Sequence, residues 1–205
     1  MQHARWGAGH MDDLRQNLAS CRLCQARFAA TATTHQPRPV LWFQSGARLM
    51  IAGQAPGKRV HQSGIPFDDA SGKRLRDWMG VRDAQFYDQT RVAVVPMAFC
   101  FPGYDVRGHD LTPPPLCAAT WRARVLGSLP AVRLTLLIGG SAMRWHLGPG
   151  RVADHVTNWQ MWAERGTYPL PHPSLSITGW LRRNPWFETE VVPHLQPSVA
   201  RILAE

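Results

Sequence analysis

The chain has 205 residues, enough for one well-buried domain and too few for two independent cores; its 44% hydrophobic content excludes a disordered chain despite seventeen Pro and seventeen Gly. Lys and Arg outnumber Asp and Glu by 23 to 14, which favours a polyanionic partner and makes a nucleic acid the leading one. No apolar run approaches the ~20 residues needed to span a bilayer, and the N-terminal MQHARWGAGHMDDLRQ lacks the apolar core of a secretion signal, so a cytoplasmic monomer without a membrane partner is expected.

Residues 1–10 are expected to be disordered. A short helix follows from Met11 to Ala19, with Leu14 and Leu18 at helical spacing, and residues 31–44 read as an irregular connection. Three apolar runs read as buried strands: Arg48–Ala52, Arg91–Phe99 and Arg133–Ile138. Helices are predicted over Ser71–Met79, Leu116–Leu126 and Ser141–Leu147, with a last one from Val191 or Val199 to the end. Strands alternating with helices over this length predict a single α/β domain with a central, mostly parallel sheet. Ligands of such sheets bind beyond the carboxyl ends of the strands. The turns Gly53-Gln54-Ala55-Pro56-Gly57 and Gly139-Gly140-Ser141 both lie at such ends.

Cys21 and Cys24 form a Cys-x-x-Cys pair, and Cys100 and Cys117 follow far downstream. In a reducing compartment such a set is a metal site more often than two disulfides. Four thiolates satisfy either a tetrahedral zinc or a four-iron four-sulfur cluster, and spacing alone does not separate them. The Pro/Gly-rich stretch FCFPGYDVRGHDLTPPPLC closes on a helix start near Pro115, as a cluster-binding loop would.

Five segments carry a family resemblance: GQAPG after the first strand, GIPFDDASGKRL beyond it, VVPMAFCFPG, LIGGSAMRWHLG, and PLPHPSLSITGWLRRNPWF near the C-terminus. In this order they resemble the uracil-DNA glycosylase superfamily, and the cysteine spacing resembles its iron–sulfur branches, families 4 and 5. The resemblance implies a four-stranded parallel sheet with helices on both faces, and hydrolysis of the N-glycosidic bond of deoxyuridine in DNA. It also implies a structural four-iron four-sulfur cluster on Cys21, Cys24, Cys100 and Cys117, in preference to zinc.

Cleaving that bond requires a flipped base, stabilisation of the departing uracil anion, and a group that orients water beside the sugar cation. His172 of the HPS segment matches the family's donor to the base, a role best filled by neutral imidazole. The GQAPG turn supplies no acid, because Gln54 and Ala55 stand where other branches carry Glu, Asp or Asn. The acid is therefore expected downstream, with Asp69 first and Asp68 in reserve, although an Asp ahead of Ser71 also suits a helix N-cap. Gly53, Gln54, Ala55, Gly57, Phe67 and Ser174 are the expected substrate-binding residues, with Phe67 as the stacking aromatic. Pro96 replaces the family's base-reading Asn, which leaves the damaged base open.

Lys58, Arg59, Lys73, Arg74, Arg76, Arg182 and Arg183 are candidate phosphate contacts, and Leu175 and Trp180 are candidate wedges. The expected partner is DNA containing uracil or another deaminated base. A protein of the same fold that binds uracil or abasic DNA without turnover, and a glycosylase for another base such as hypoxanthine, are the competing readings.

Overall fold

Four short apolar segments pair into one parallel sheet: β1 (Leu49–Ala52), β2 (Val92–Val94), β3 (Leu134–Ile138) and β4 (Thr167–Leu170), in the order β2-β1-β3-β4. The computed structural model that shows this describes residues 8–205. Register is set by Leu49 opposite both Val92 and Leu134, and by Thr135 opposite Thr167.

Alternation along the strands divides the interior. Leu49, Ile51, Val92 and Val94 face a core shared with Leu75, Trp78, Leu195 and Val199. Met50, Ala93 and Val95 face a second core with Leu14, Leu18, Trp121 and Val125. Both faces of the sheet are thus covered by helices: Ala70–Met79 and Val192–Ala204 on one side, Ala8–Ala19 and Pro115–Gly127 on the other. Such double burial explains the nearly unbroken apolar runs in the sequence. Among the described residues no helix is long and apolar enough to cross a membrane.

Three expectations change in detail. The first helix starts at Ala8, so of the stretch expected to be disordered only residues 1–7 lie outside the described residues. The second strand ends at Val94 rather than Phe99, since Pro96 has no N–H to donate to a ladder. Residues 95–98 instead bind the end of β1: the N–H groups of Val95, Met97 and Ala98 donate to the carbonyls of Ile51, Gly53 and Gln54 at 2.8, 2.9 and 3.1 Å. β4 has no counterpart among the runs read from the sequence. It is four residues long and contains Pro169, which is tolerated because β4 lies at the sheet edge.

Behind the sheet's carboxyl edge lies a buried cation. Arg122 is 1% exposed. It donates Nη1 to the carbonyls of Val95 and Pro96 at 3.1 and 3.2 Å and Nη2 to Nε2 of His146, and its guanidinium lies 4.7 Å from the centroid of the Trp145 ring. Burial lowers its pKa to about 10. A His146 that accepts from guanidinium must be neutral, and burial, then the charge of Arg122, lower its pKa to about 4.

The unfolded chain takes up a proton on His146 near pH 6.5, whereas the folded chain does so only near 4. Stability therefore falls as the pH drops through that window, by about 3 kcal/mol for this group. Urea unfolding at pH 4.5 to 7 should show this slope, and His146→Gln, which keeps an acceptor for Arg122, should flatten it; an unchanged slope in the variant would contradict the assignment.

Candidate active site

Because the strands are parallel, their carboxyl ends meet at one edge, and a cavity of about 520 Å³ opens there. Its floor is made by Val94, Pro96, Ile138 and the Gly53–Gly57 turn; Phe67, Asp69, His172 and Ser174 line its walls. The volume lies in the ordinary range for small-ligand sites, about 300 to 1,000 Å³. β1 connects to β2 on one side and the chain then crosses to β3 on the other, so the cavity sits at the switch point of the sheet.

The substrate-binding residues expected from the sequence all line this cavity: Gly53, Gln54, Ala55, Gly57, Phe67 and Ser174. The two glycines of the turn differ from what close backbone approach requires. A Cβ on Gly53 would meet only the tip of the Phe67 ring at 3.7 Å, and one on Gly57 would meet nothing within 4 Å.

Asp69 is the helix N-cap that its position suggested, and it also reaches the cavity. Its Oδ1 accepts the Gly72 N–H at 2.8 Å and caps the Ala70–Met79 helix, and its side chain still borders the cavity. Asp68 is not among the lining residues; it lies 3.5 Å from Arg59 on the surface. His172 follows β4 by two residues, a position fixed by the strand that the sequence did not reveal. It presents a surface to the cavity, yet the crowding protein around it lowers its pKa, against the opposing pull of Asp69 and Asp110.

Phe67 has a positive φ of 55°, a left-handed conformation that costs a residue with a side chain about 1 to 3 kcal/mol. The surroundings impose it. The Phe67 carbonyl accepts from Arg76 at 3.4 Å and the Tyr87 hydroxyl at 3.3 Å, and its ring packs edge-on against Phe86. Gly72 makes room for that carbonyl, since a Cβ there would lie 1.7 Å from the oxygen.

The basic residues divide. Arg74 donates to the Ser174 carbonyl at 2.6 Å and to Thr178, clamping the helix of Asp69 to the loop that follows His172. Arg76 is consumed by Phe67, Tyr87 and an ion pair with Asp83 at 2.7 Å. Neither is a free surface cation. Arg59 and Lys73 pair with Asp68 and Asp77, while Lys58, Arg182 and Arg183 are exposed.

Sequence reading missed Trp42, Ser71, Pro102, Asp110, Leu111 and Ser176 in the lining. The one carboxylate among them, Asp110, stands in a loop with no local pattern to mark it.

Cys21, Cys24, Cys100 and Cys117 converge on a second recess, walled by Leu23, Phe28, Ala98 and Trp121. All four are free thiols. Burial, then Cys117, pushes Cys100 up to about 12, and burial pushes Cys117 up to about 11, so both stay protonated unless a cation takes them. Each of these two also feels the charges of Cys21 and Cys24. Among the described residues, however, no three His, Cys, Asp or Glu side chains are set to hold a single metal ion.

The fold and the cavity define an α/β protein with a concave small-ligand site at the carboxyl edge of a parallel sheet. The chain belongs to the uracil DNA glycosylase superfamily, whose family model matches residues 42–196. That match covers β1 to β4 and the whole cavity apart from Val40; it begins after Cys21 and Cys24.

The strained wall of the cavity gives a direct test. Gly72→Ala should destabilise the protein by about 3 kcal/mol, because either Phe67 or the helix start must move. Gly57→Ala should stay within about 1 kcal/mol. Thermal melting of both variants checks this, and equal shifts would contradict the packing argument.

Proposed function

We propose that the protein is a DNA glycosylase that hydrolyses the N-glycosidic bond of deoxyuridine in DNA and leaves an abasic site. The observation that carries this reading is the convergence of Asp69, His172 and Phe67 on one cavity beside the Gly53–Gly57 turn. A base flipped from the stack enters that cavity, and the unstacking of a few kcal/mol is repaid by contacts there. Phe67, held in its strained conformation, stacks on the base.

His172 donates a hydrogen bond to a base carbonyl oxygen as negative charge builds on it. Its lowered pKa keeps the imidazole neutral at pH 7, which suits a donor that does not become an acid. Asp69, fixed by its bond to Gly72, orients water toward the anomeric carbon and takes its proton. The capping bond is compatible with this role, since it leaves the second carboxylate oxygen for the water.

Leu175 is 70% exposed in the turn directly after Ser174 and supports a wedge that fills the space the base vacates. Trp180 instead packs against Trp186 and Phe187, each at 5.9 Å between centroids, and lies half-buried against the core. Lys58, Arg182 and Arg183 meet phosphates, which makes binding salt-dependent without sequence preference.

Cys21, Cys24, Cys100 and Cys117 would hold a four-iron four-sulfur cluster. The donor set fits: four thiols, no carboxylate or imidazole, and apolar walls. The cluster would supply a structural tie between the start of the Pro115–Gly127 helix, the segment after β2 and the loop at Cys21. A specific observation also supports a wider base range: Pro96 lines the cavity and offers no amide to read uracil, which keeps hypoxanthine among the candidate substrates.

Single-turnover assays on oligonucleotides carrying one uracil or one hypoxanthine should release the free base. His172→Ala should lower the rate by about 100-fold and Asp69→Asn by about 100-fold or more, with melting temperatures near wild type for His172→Ala. A stable complex without base release from any lesion would overturn the enzymatic reading in favour of binding alone, and full activity in both variants would overturn the site. Protein purified without chelators should be brown and contain about four iron and four sulfide per chain, lost in Cys100→Ser; a colourless protein, or one holding zinc, would contradict the cluster.

A further inference from the structure

Asp110 is a second carboxylate in the lining of the cavity, and no motif of the sequence pointed to it. It lies in the loop between Cys100 and Cys117 and is held on a rigid frame. Tyr104 and Asp110 form an antiparallel bridge, and the Leu111 N–H donates to the Gly103 carbonyl at 2.9 Å. Gly103 turns the chain at φ 97°, and a Cβ there would strike Thr31 at 2.8 Å. Beyond the bridge, Asp105 Oδ1 accepts from the N–H groups of Arg107 and His109 at 2.8 and 2.9 Å, closing the loop's tip.

This frame carries Asp110 outward from the sheet edge, where it is solvent-exposed, while Val94, Ile138 and Gly53 form the floor below. The residue is close enough to influence the charge of His172, as Asp69 is. When a base occupies the floor, its sugar and phosphates remain at the rim. A carboxylate at the rim attracts positive charge on the deoxyribose and repels the flanking phosphates.

We propose that Asp110 faces the deoxyribose and stabilises the positive charge that develops there, at the expense of ground-state affinity for DNA. The inference rests on the glycosylase reading. In that reaction the C1′–N bond breaks with its electron pair leaving on the base, and water adds its oxygen to C1′ and its proton to Asp69. Asp110 makes and breaks no bond; it acts through its charge. Its contribution therefore separates from ordinary binding, strengthening the transition state and weakening the ground state.

The test compares wild type with Asp110→Asn and Asp110→Glu on two duplexes: one with a neutral tetrahydrofuran abasic analogue, one with a cationic pyrrolidine analogue. Asp110→Asn should bind the neutral analogue as tightly as wild type or tighter, and the cationic one about tenfold more weakly, whereas Asp110→Glu should keep much of the preference. Its single-turnover rate should fall about tenfold with KM unchanged or lower. An unchanged ratio between the two analogues in Asp110→Asn would overturn the proposal. Wild-type protein that releases no base from any lesion would overturn the glycosylase reading and this proposal with it, whereas an unchanged ratio in an active enzyme overturns the proposal alone.

Discussion

The structure depends on one constraint: four strands run the same way, so the chain leaves all of them at one edge. The segments that leave β1, β2 and β4 there line one cavity, and β3 reaches it with its last residue. The turn after β1 supplies Gly53 to Gly57, the segment after β2 supplies Pro96, β3 ends at Ile138, and the segment after β4 supplies His172 and Ser174. The β1 turn is kept in place because its Gly53 and Gln54 carbonyls are bound by the N–H groups of Met97 and Ala98. Polar backbone that would otherwise be orphaned at a strand end is thereby satisfied, in a turn whose Gly53 and Pro56 are buried.

The walls are also tied to one another. Arg74 joins the helix that starts at Asp69 to the Ser174 carbonyl. Arg76 and Tyr87 hold the Phe67 carbonyl, and Gly72, which donates to Asp69, leaves space for it. Asp69, Phe67 and His172 are thus parts of one connected arrangement, in which strain at Phe67 is balanced by hydrogen bonds and close packing. Arg122 extends the connection behind the cavity, where its guanidinium bonds to the carbonyls of Val95 and Pro96. Preorganisation of this kind lets donors and carboxylates act without reorganising when charge develops.

Much of this was legible in the sequence. The first three strands declared themselves as apolar runs, since a sheet covered on both faces needs apolar residues throughout. Asp69 and His172 stood in segments that resemble those of the family, and both line the cavity. Other parts were not legible, for physical reasons. Thr167 to Leu170 are too few and contain Pro169, so no run marks β4. Arg74 and Arg76 read as surface charge because a sequence shows a cation without its partner; here the partners are a carbonyl one hundred residues away and a half-buried hydroxyl. Asp110 reaches the cavity only through a bridge between Tyr104 and itself, a tertiary fact without a local signature.

On the proposed function, the cavity at the sheet edge receives a base turned out of DNA. A crystal structure of the protein with a duplex carrying 2′-fluoro-deoxyuridine, whose glycosidic bond resists hydrolysis, tests it most directly. The uracil ring should lie inside the cavity against Phe67, with a carbonyl oxygen within hydrogen-bond reach of His172 and the anomeric carbon beside Asp69. A complex in which the base stays stacked in the duplex, or lies outside this cavity, would contradict it.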